Sequence, residues 1–117
     1  MKCIIAGSRS ITDYVTLETA ISESGFDTDG AIAQVVSGGA RGVDTLAEEW
    51  AYRNRRQLII FPADWDTYGK SAGIRRNEQM AIWADALIAL WDGKSSGTKH
   101  MISCAKKHGL RVFVYEA

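Results

Sequence analysis

The residues best placed to do chemistry in this 117-residue chain are glycines set beside arginines and aspartates. Ser37-Gly38-Gly39-Ala40-Arg41-Gly42 has the spacing G-x-G-x-x-G with Ser in place of the first Gly, and Asp64 follows Gly42 at roughly the distance of the ribose-binding acid in that fingerprint. Glycine between a strand and a helix lets the backbone approach an anion, and the helix start adds unpaired N–H groups and a favourable dipole. A tight turn that merely needs glycine reads the same way. Gly97-Thr98 opens a later helix as Gly42 opens an earlier one, and Gly7-Ser8-Arg9-Ser10 falls between them. Two helix starts facing one crevice suit a phosphate-bearing ligand. A Walker A loop is excluded, because Asp64 stands where Gly69-Lys70-Ser71 requires a leading Gly.

Charged residues gather in the same loops: Arg9, Arg41, Lys70, Arg75, Arg76, Lys94 and Lys99 against Asp44, Asp64, Asp66 and Asp92. Guanidinium forks suit phosphate and carboxylates suit ribose hydroxyls, although such side chains also make ordinary solvated loops. Trp65 and Tyr68 sit among polar neighbours, where a ring either stacks on a base or packs the loop down. Thr45-Leu46-Ala47-Glu48 reads as a capping box, which favours a structural role for Glu48, while Asp44 either caps the helix or faces the ligand. His100, Cys104 and His108 recur at every fourth position, but no carboxylate joins them in sequence and a helical stripe more often belongs to the core, so no metal site is expected. No Ser-His-Asp or Cys-His-Asn set is legible, and G-x-S-x-G is absent.

The elements that must position these residues follow from periodicity. Short continuous apolar runs at Cys3–Ala6, Ile32–Val36, Leu58–Phe61, Ala86–Trp91 and Val112–Tyr115 read as strands covered on both faces. Helical period fills the gaps, over about 13–24 with Val15, Leu17, Ala20 and Ile21 inward, about 45–55 with Trp50 inward, about 71–84 with Ile74, Met80, Ala81 and Trp83 inward, and about 98–107 with Met101, Ile102 and Ala105 inward. Gly25 and Gly109 stand as helix stops, and residues 62–73 read as a loop. Right-handed crossovers then predict an α/β fold: one Rossmann-like doubly wound parallel sheet of about five strands, order 3-2-1-4-5, with helices on both faces and the ligand at the carboxyl ends of the strands.

Composition narrows the classes. The length suits one domain over residues 1–117. Fourteen Lys and Arg balance fourteen Asp and Glu, and the absence of net charge argues against nucleic acid as a partner. Cys3 and Cys104 read as reduced, packed thiols, which points to the cytoplasm. The N-terminal apolar run is too short for a signal peptide, and no run is long enough to span a membrane.

Taken together, Gly7-Ser8-Arg9, the Ser37–Asp44 loop, Ala63-Asp64-Trp65 through Gly69-Lys70-Ser71-Ala72-Gly73-Ile74-Arg75-Arg76-Asn77, and Asp85–Gly93 through Gly97-Thr98 resemble the YspA/cpYpsA-related branch of the SLOG superfamily, over nearly the whole chain. That superfamily includes the DprA/Smf DNA-processing proteins, the Lonely-guy phosphoribohydrolases and molybdenum-cofactor carriers. The resemblance implies a Rossmann-like fold and a nucleotide-type ligand at the glycine loops. Phosphoribohydrolases carry an Arg in the helix after the third strand, matched here by Arg75 or Arg76, and a Glu three residues beyond the Gly-Thr pair, where this chain has Met101. Loss of that acid counts against hydrolysis by their mechanism.

The expected function is therefore binding of a phosphorylated nucleoside such as a mononucleotide or ADP-ribose, with no further cofactor. Gly7, Ser8, Arg9, Ser37, Gly38, Gly39, Arg41, Gly42, Asp44, Asp64, Trp65, Tyr68, Lys70, Arg75, Arg76, Asn77, Asp92, Gly93, Ser96, Gly97 and Thr98 form the expected ligand site. One alternative is an N-glycosidic hydrolase using Asp44, Glu48 and Arg76. The other is single-stranded DNA binding through the basic loops and Trp65. A homodimer or higher homo-oligomer is compatible with the sequence.

Overall fold

Apolar alternation divides the chain between two cores. In the computed structural model, which describes residues 1–117, the strands are β1 (Lys2–Gly7), β2 (Gln34–Ser37), β3 (Gln57–Ile60), β4 (Ala86–Trp91) and β5 (Arg111–Glu116). All pair in parallel in the order β3-β2-β1-β4-β5, as predicted. The helices are α1 (Tyr14–Ser24), α2 (Val43–Arg53), α3 (Trp65–Tyr68), α4 (Ala72–Trp83) and α5 (Ser96–Lys107). Successive strand residues point to opposite faces. Cys3 and Ile5 of β1 and Ile88 and Leu90 of β4 therefore pack with Leu17 of α1 and Ala47 and Trp50 of α2. Ile4, Ala6, Leu87 and Ala89 face the other way, onto Met80 and Ala81 of α4 and Met101 and Ala105 of α5. Both cysteines are buried and free.

Burial departs from expectation at the edges. β3 is not covered on both faces: Leu58 and Ile60 are 36% and 45% exposed, because the sheet ends there. The side chains of β5, at the other edge, are half-buried or exposed. Val15 is exposed because, two residues from Leu17, it lies about 200° around the helix from the buried stripe. Trp83 stays 41% exposed at the end of α4, where its indole N–H donates to Gln34 Oε1 at 2.7 Å and Lys2 Nζ lies 4.1 Å from the ring centroid. Ile74 is exposed because it faces a cleft rather than the core. The expected loop at 62–73 contains α3 and a 3-10 turn, Gly69–Ser71. Gly25 does end α1 in the left-handed conformation.

The capping box does not form. Helix α2 begins two residues earlier, at Val43, with Gly42 as N-cap. Thr45 Oγ1 donates to the Ala40 carbonyl, and Glu48 instead accepts a 3.0 Å bond from Ser37 Oγ. No helix is long and apolar enough to cross a membrane.

Candidate functional site

The sheet order places the carboxyl ends of β1, β2 and β4 side by side, and a cleft of about 430 Å³ opens over them. Its floor includes Ala6 and Gly7. Gly7 admits no side chain, since a Cβ there would meet the Leu90 carbonyl and, at 2.7 Å, Val43. Ser8, expected at the ligand, is instead buried as a strut: its N–H donates to the Leu90 carbonyl at 3.0 Å and its Oγ accepts from the Asp92 N–H at 3.1 Å. This bridge fastens the loop after β1 to the loop after β4 and leaves Arg9 exposed over the cleft.

Arg76 arrives from the opposite side, on α4. Its Nη1 donates to the Gly38 carbonyl at 2.6 Å and its Nε to Asn77 Oδ1 at 3.1 Å. Gly38 has no room for a Cβ, which would lie 2.8 Å from Arg76 Cζ and 3.0 Å from Asp44 Oδ2. Asp44, 5% exposed, stands behind Arg76. Burial raises its carboxyl above the usual range, although the Ala40 N–H and the Arg76 charge pull the other way. Burial likewise lowers Arg76, with Asp44 opposing and Arg9 reinforcing that shift. Two guanidinium groups thus share one small region with a single buried carboxylate.

The glycine loop after β2 spends its own donors. The Gly39 N–H goes to Ser37 Oγ at 3.1 Å and the Ala40 N–H to Asp44 Oδ2 at 3.0 Å. Free donors lie instead at the start of α5. Asp92 Oδ1 accepts from the N–H groups of Lys94 and Ser95, both at 2.8 Å, and these bonds hold its carboxyl below the usual range. Ser95 Oγ takes the Thr98 N–H at 3.3 Å, and the Ser96 and Gly97 N–H groups remain unpaired at the cleft. Such N–H groups at a helix start are suited to an anion.

Of the remaining sequence candidates, Trp65, Lys70, Asn77 and Thr98 line this cleft. Gly38, Gly39 and Arg41 line an adjoining depression that shares Arg9, Trp65 and Arg76, and Glu48 lies there too. Ser37, Gly42, Asp64, Tyr68, Arg75, Asp92 and Gly93 line neither. Asp64 caps α3 by accepting from the Thr67 N–H at 3.1 Å. Arg75 lies 4.2 Å from the Tyr68 ring centroid. Gly42 supports the site from beneath: with φ 73° and ψ −122°, it touches the Arg9 backbone so closely that a Cβ would sit 2.6 Å from it.

Sequence reasoning missed His100, which lines the cleft with its Nδ1 3.0 Å from Asn77 Nδ2. The available signal was its place in the first turn after Gly97-Thr98. Met101, at the position where phosphoribohydrolases have their acid, is buried and also lines the cleft. The carboxylate judged missing from the helical stripe comes from α4: Glu78 accompanies Cys104 and His108, whereas His100 turns toward Asn77.

A family model described as "YspA, cpYpsA-related SLOG family" matches residues 1–68. The chain belongs to the YspA, cpYpsA-related SLOG family. The match runs from β1 through α3 and so includes Arg9 and the glycine loop, while Arg76 and the α5 start lie beyond it. A relative in this size range is the Gene 61 protein of Mycobacterium phage D29, 35% identical, with 95% of this chain and 93% of that protein aligned. Among solved structures, DNA processing protein A from Helicobacter pylori, described for its single-stranded DNA binding mode, superposes with a TM-score of 0.72 at 25% identity over 97% of this chain. DprA from Streptococcus pneumoniae superposes with a TM-score of 0.70 at 19% identity, also over 97%. The SLOG chain spans 64% of the first and 49% of the second.

The likeness to the Helicobacter pylori protein overturns the expectation that nucleic acid is an improbable partner. Zero net charge is a sum over the whole surface, and it hides the local grouping of Arg9, Lys70 and Arg76 at one cleft.

Proposed function

We propose that the protein binds single-stranded DNA by seating one nucleotide unit in the Arg9–Arg76 cleft. The observation that carries this reading is the convergence of two guanidinium groups and two unpaired N–H groups on a cleft whose rim holds Trp65, 54% exposed. The phosphate pairs with Arg9 and Arg76 and takes the Ser96 and Gly97 N–H groups, and the Gly38 carbonyl and Asn77 Oδ1 hold the Arg76 guanidinium at the cleft. A base stacks on Trp65, a contact that tolerates any sequence. The fold shared with a protein described as binding single-stranded DNA supports the same assignment.

The cleft volume favours a second reading, a free phosphorylated nucleoside such as a mononucleotide or ADP-ribose, because about 430 Å³ falls in the range of small-molecule sites. Fluorescence anisotropy of a labelled oligothymidine, with and without competing thymidine monophosphate, separates the two. DNA binding gives a titratable rise that the mononucleotide reverses only at large excess. Arg9→Ala and Trp65→Ala, both at exposed positions, should each weaken it roughly tenfold, or about 1.4 kcal/mol. Calorimetric binding of mononucleotides with no response to oligonucleotide would establish the second reading, and silence to both would end the assignment.

A further inference from the structure

None of Glu78, Cys104 and His108 lines either depression of the DNA-binding face, yet their side chains converge. Cys104 and His108 are four residues apart, which brings them to one face at the end of α5, and Glu78 comes from the adjacent α4. One sulfur, one imidazole nitrogen and one carboxylate oxygen lie within 4.8 Å of one another, and His108 Nε2 is 2.9 Å from Glu78 Oε2. Bonds of zinc length in tetrahedral array place neighbouring ligand atoms about 3.3–3.8 Å apart. The hydrogen-bonded pair is slightly closer than that spacing, and the 4.8 Å bound on the three atoms exceeds it by only about an ångström.

We infer that Glu78, Cys104 and His108 form a three-ligand site for a zinc-class divalent cation that clamps α4 to α5. The donor set is mixed S/N/O, which suits Zn²⁺ or Co²⁺, and it is too soft and offers too few oxygens for Mg²⁺ or Ca²⁺. The side chains of His108 and Glu78 are 29% and 37% exposed, so the cation has a route in and a fourth position open to water. Cys104 is 3% exposed and supplies its sulfur from within the helix packing. On binding, the Cys104 thiol proton leaves to solvent, the proton that His108 Nε2 shares with Glu78 leaves to solvent or passes to Nδ1, and the His108–Glu78 hydrogen bond is exchanged for two metal bonds. The cation then holds α4 and α5 by coordination at a point where no backbone hydrogen bond joins them.

The test is addition of Co²⁺ alone to the reduced full chain, followed by absorbance. A thiolate site gives a sulfur-to-cobalt charge-transfer band in the near ultraviolet and ligand-field bands in the visible. Both should appear at one equivalent, survive Cys3→Ser, vanish in Cys104→Ser, and require at least tenfold more metal in His108→Ala and Glu78→Gln. A second readout needs no variant: Zn²⁺ should shift the His108 imidazole ¹⁵N resonances of the unaltered protein and leave those of His100 in place. No band at tenfold excess of metal, a band that persists in Cys104→Ser, or a band indifferent to both His108→Ala and Glu78→Gln would each overturn the site. So would a zinc-induced shift at His100 instead of His108.

Discussion

Arg76 has only protons to offer, and this decides the state of a residue it never touches. The Asn77 atom facing Arg76 Nε must be an acceptor, so it is Oδ1, and the amide nitrogen is left facing His100 Nδ1. That ring nitrogen must accept in turn, which places the imidazole proton on Nε2 and makes His100 a neutral donor on the cleft wall. Asn77→Asp should reverse the tautomer, because a carboxylate can only accept and would draw the proton to Nδ1. Long-range ¹H–¹⁵N correlation of the two histidines reads the change directly, and an unaltered Nε2–H form in the variant would refute the chain of bonds. The placing of Arg9, Arg76 and Gly97 at one cleft was legible from residue type and loop spacing, whereas Asp64, read as a ribose acid, caps α3 instead. His100 was not legible, because its role comes from the register between α4 and α5, which local sequence does not encode.

Two features bear on stability at the scale of elements. Gly42 occupies a backbone region essentially reserved for glycine, and a methyl group there would collide with the Arg9 main chain. Gly42→Ala should cost about 2–4 kcal/mol in urea denaturation, from the strained backbone and the clash together, and should displace Arg9 enough to weaken the proposed DNA binding in what remains folded. Asp27, in the connection between α1 and β2, accepts from Arg56 at 2.6 and 3.1 Å, and Arg56 also donates to the Ile32 carbonyl at 2.8 Å. Partial burial works against the Asp27 charge, but the Arg56 guanidinium and the Ile32 N–H outweigh it, and the carboxyl is held below its ordinary value. A lowered folded value means stability that is present above the ordinary aspartate range and lost as pH falls through the folded one. Asp27→Asn should therefore cost about 1–3 kcal/mol near neutrality, with the gap to the unaltered protein narrowing in thermal melts as pH falls below the ordinary aspartate range. The central strands and the cores of α1, α2, α4 and α5 were readable because burial leaves a periodic trace. β3 and β5 carry the same apolar residues as inner strands, and only the order of the sheet reveals that they lie at its edges. The capping box failed because the Gly42 turn starts α2 before Thr45 can act.

For the molecule as a whole, zero net charge limits how the proposed DNA ligand could be held. In the proposed mode Arg9 and Arg76 share one phosphate and Lys70 reaches at most a second, so about two phosphates would be neutralised and the slope of log K against log salt should be about −1.4 for a single strand. A slope steeper than about −4 in anisotropy titrations over a salt series would mean that scattered surface lysines, rather than the cleft, do the binding. The sheet order has another consequence, for the time course of folding. The first strand of the chain is the middle strand of the sheet, and Cys3 must find Ala86, while Lys2 donates its N–H to Asp85 at 2.8 Å. Every parallel pairing spans a crossover, so loop-closure entropy must be met before any ladder forms, and contacts of such high order slow the search. The cleft is built across the same crossovers: Arg9, after β1, waits for Arg76 on α4 and for the α5 start, so ligand competence requires the chain through at least Gly97.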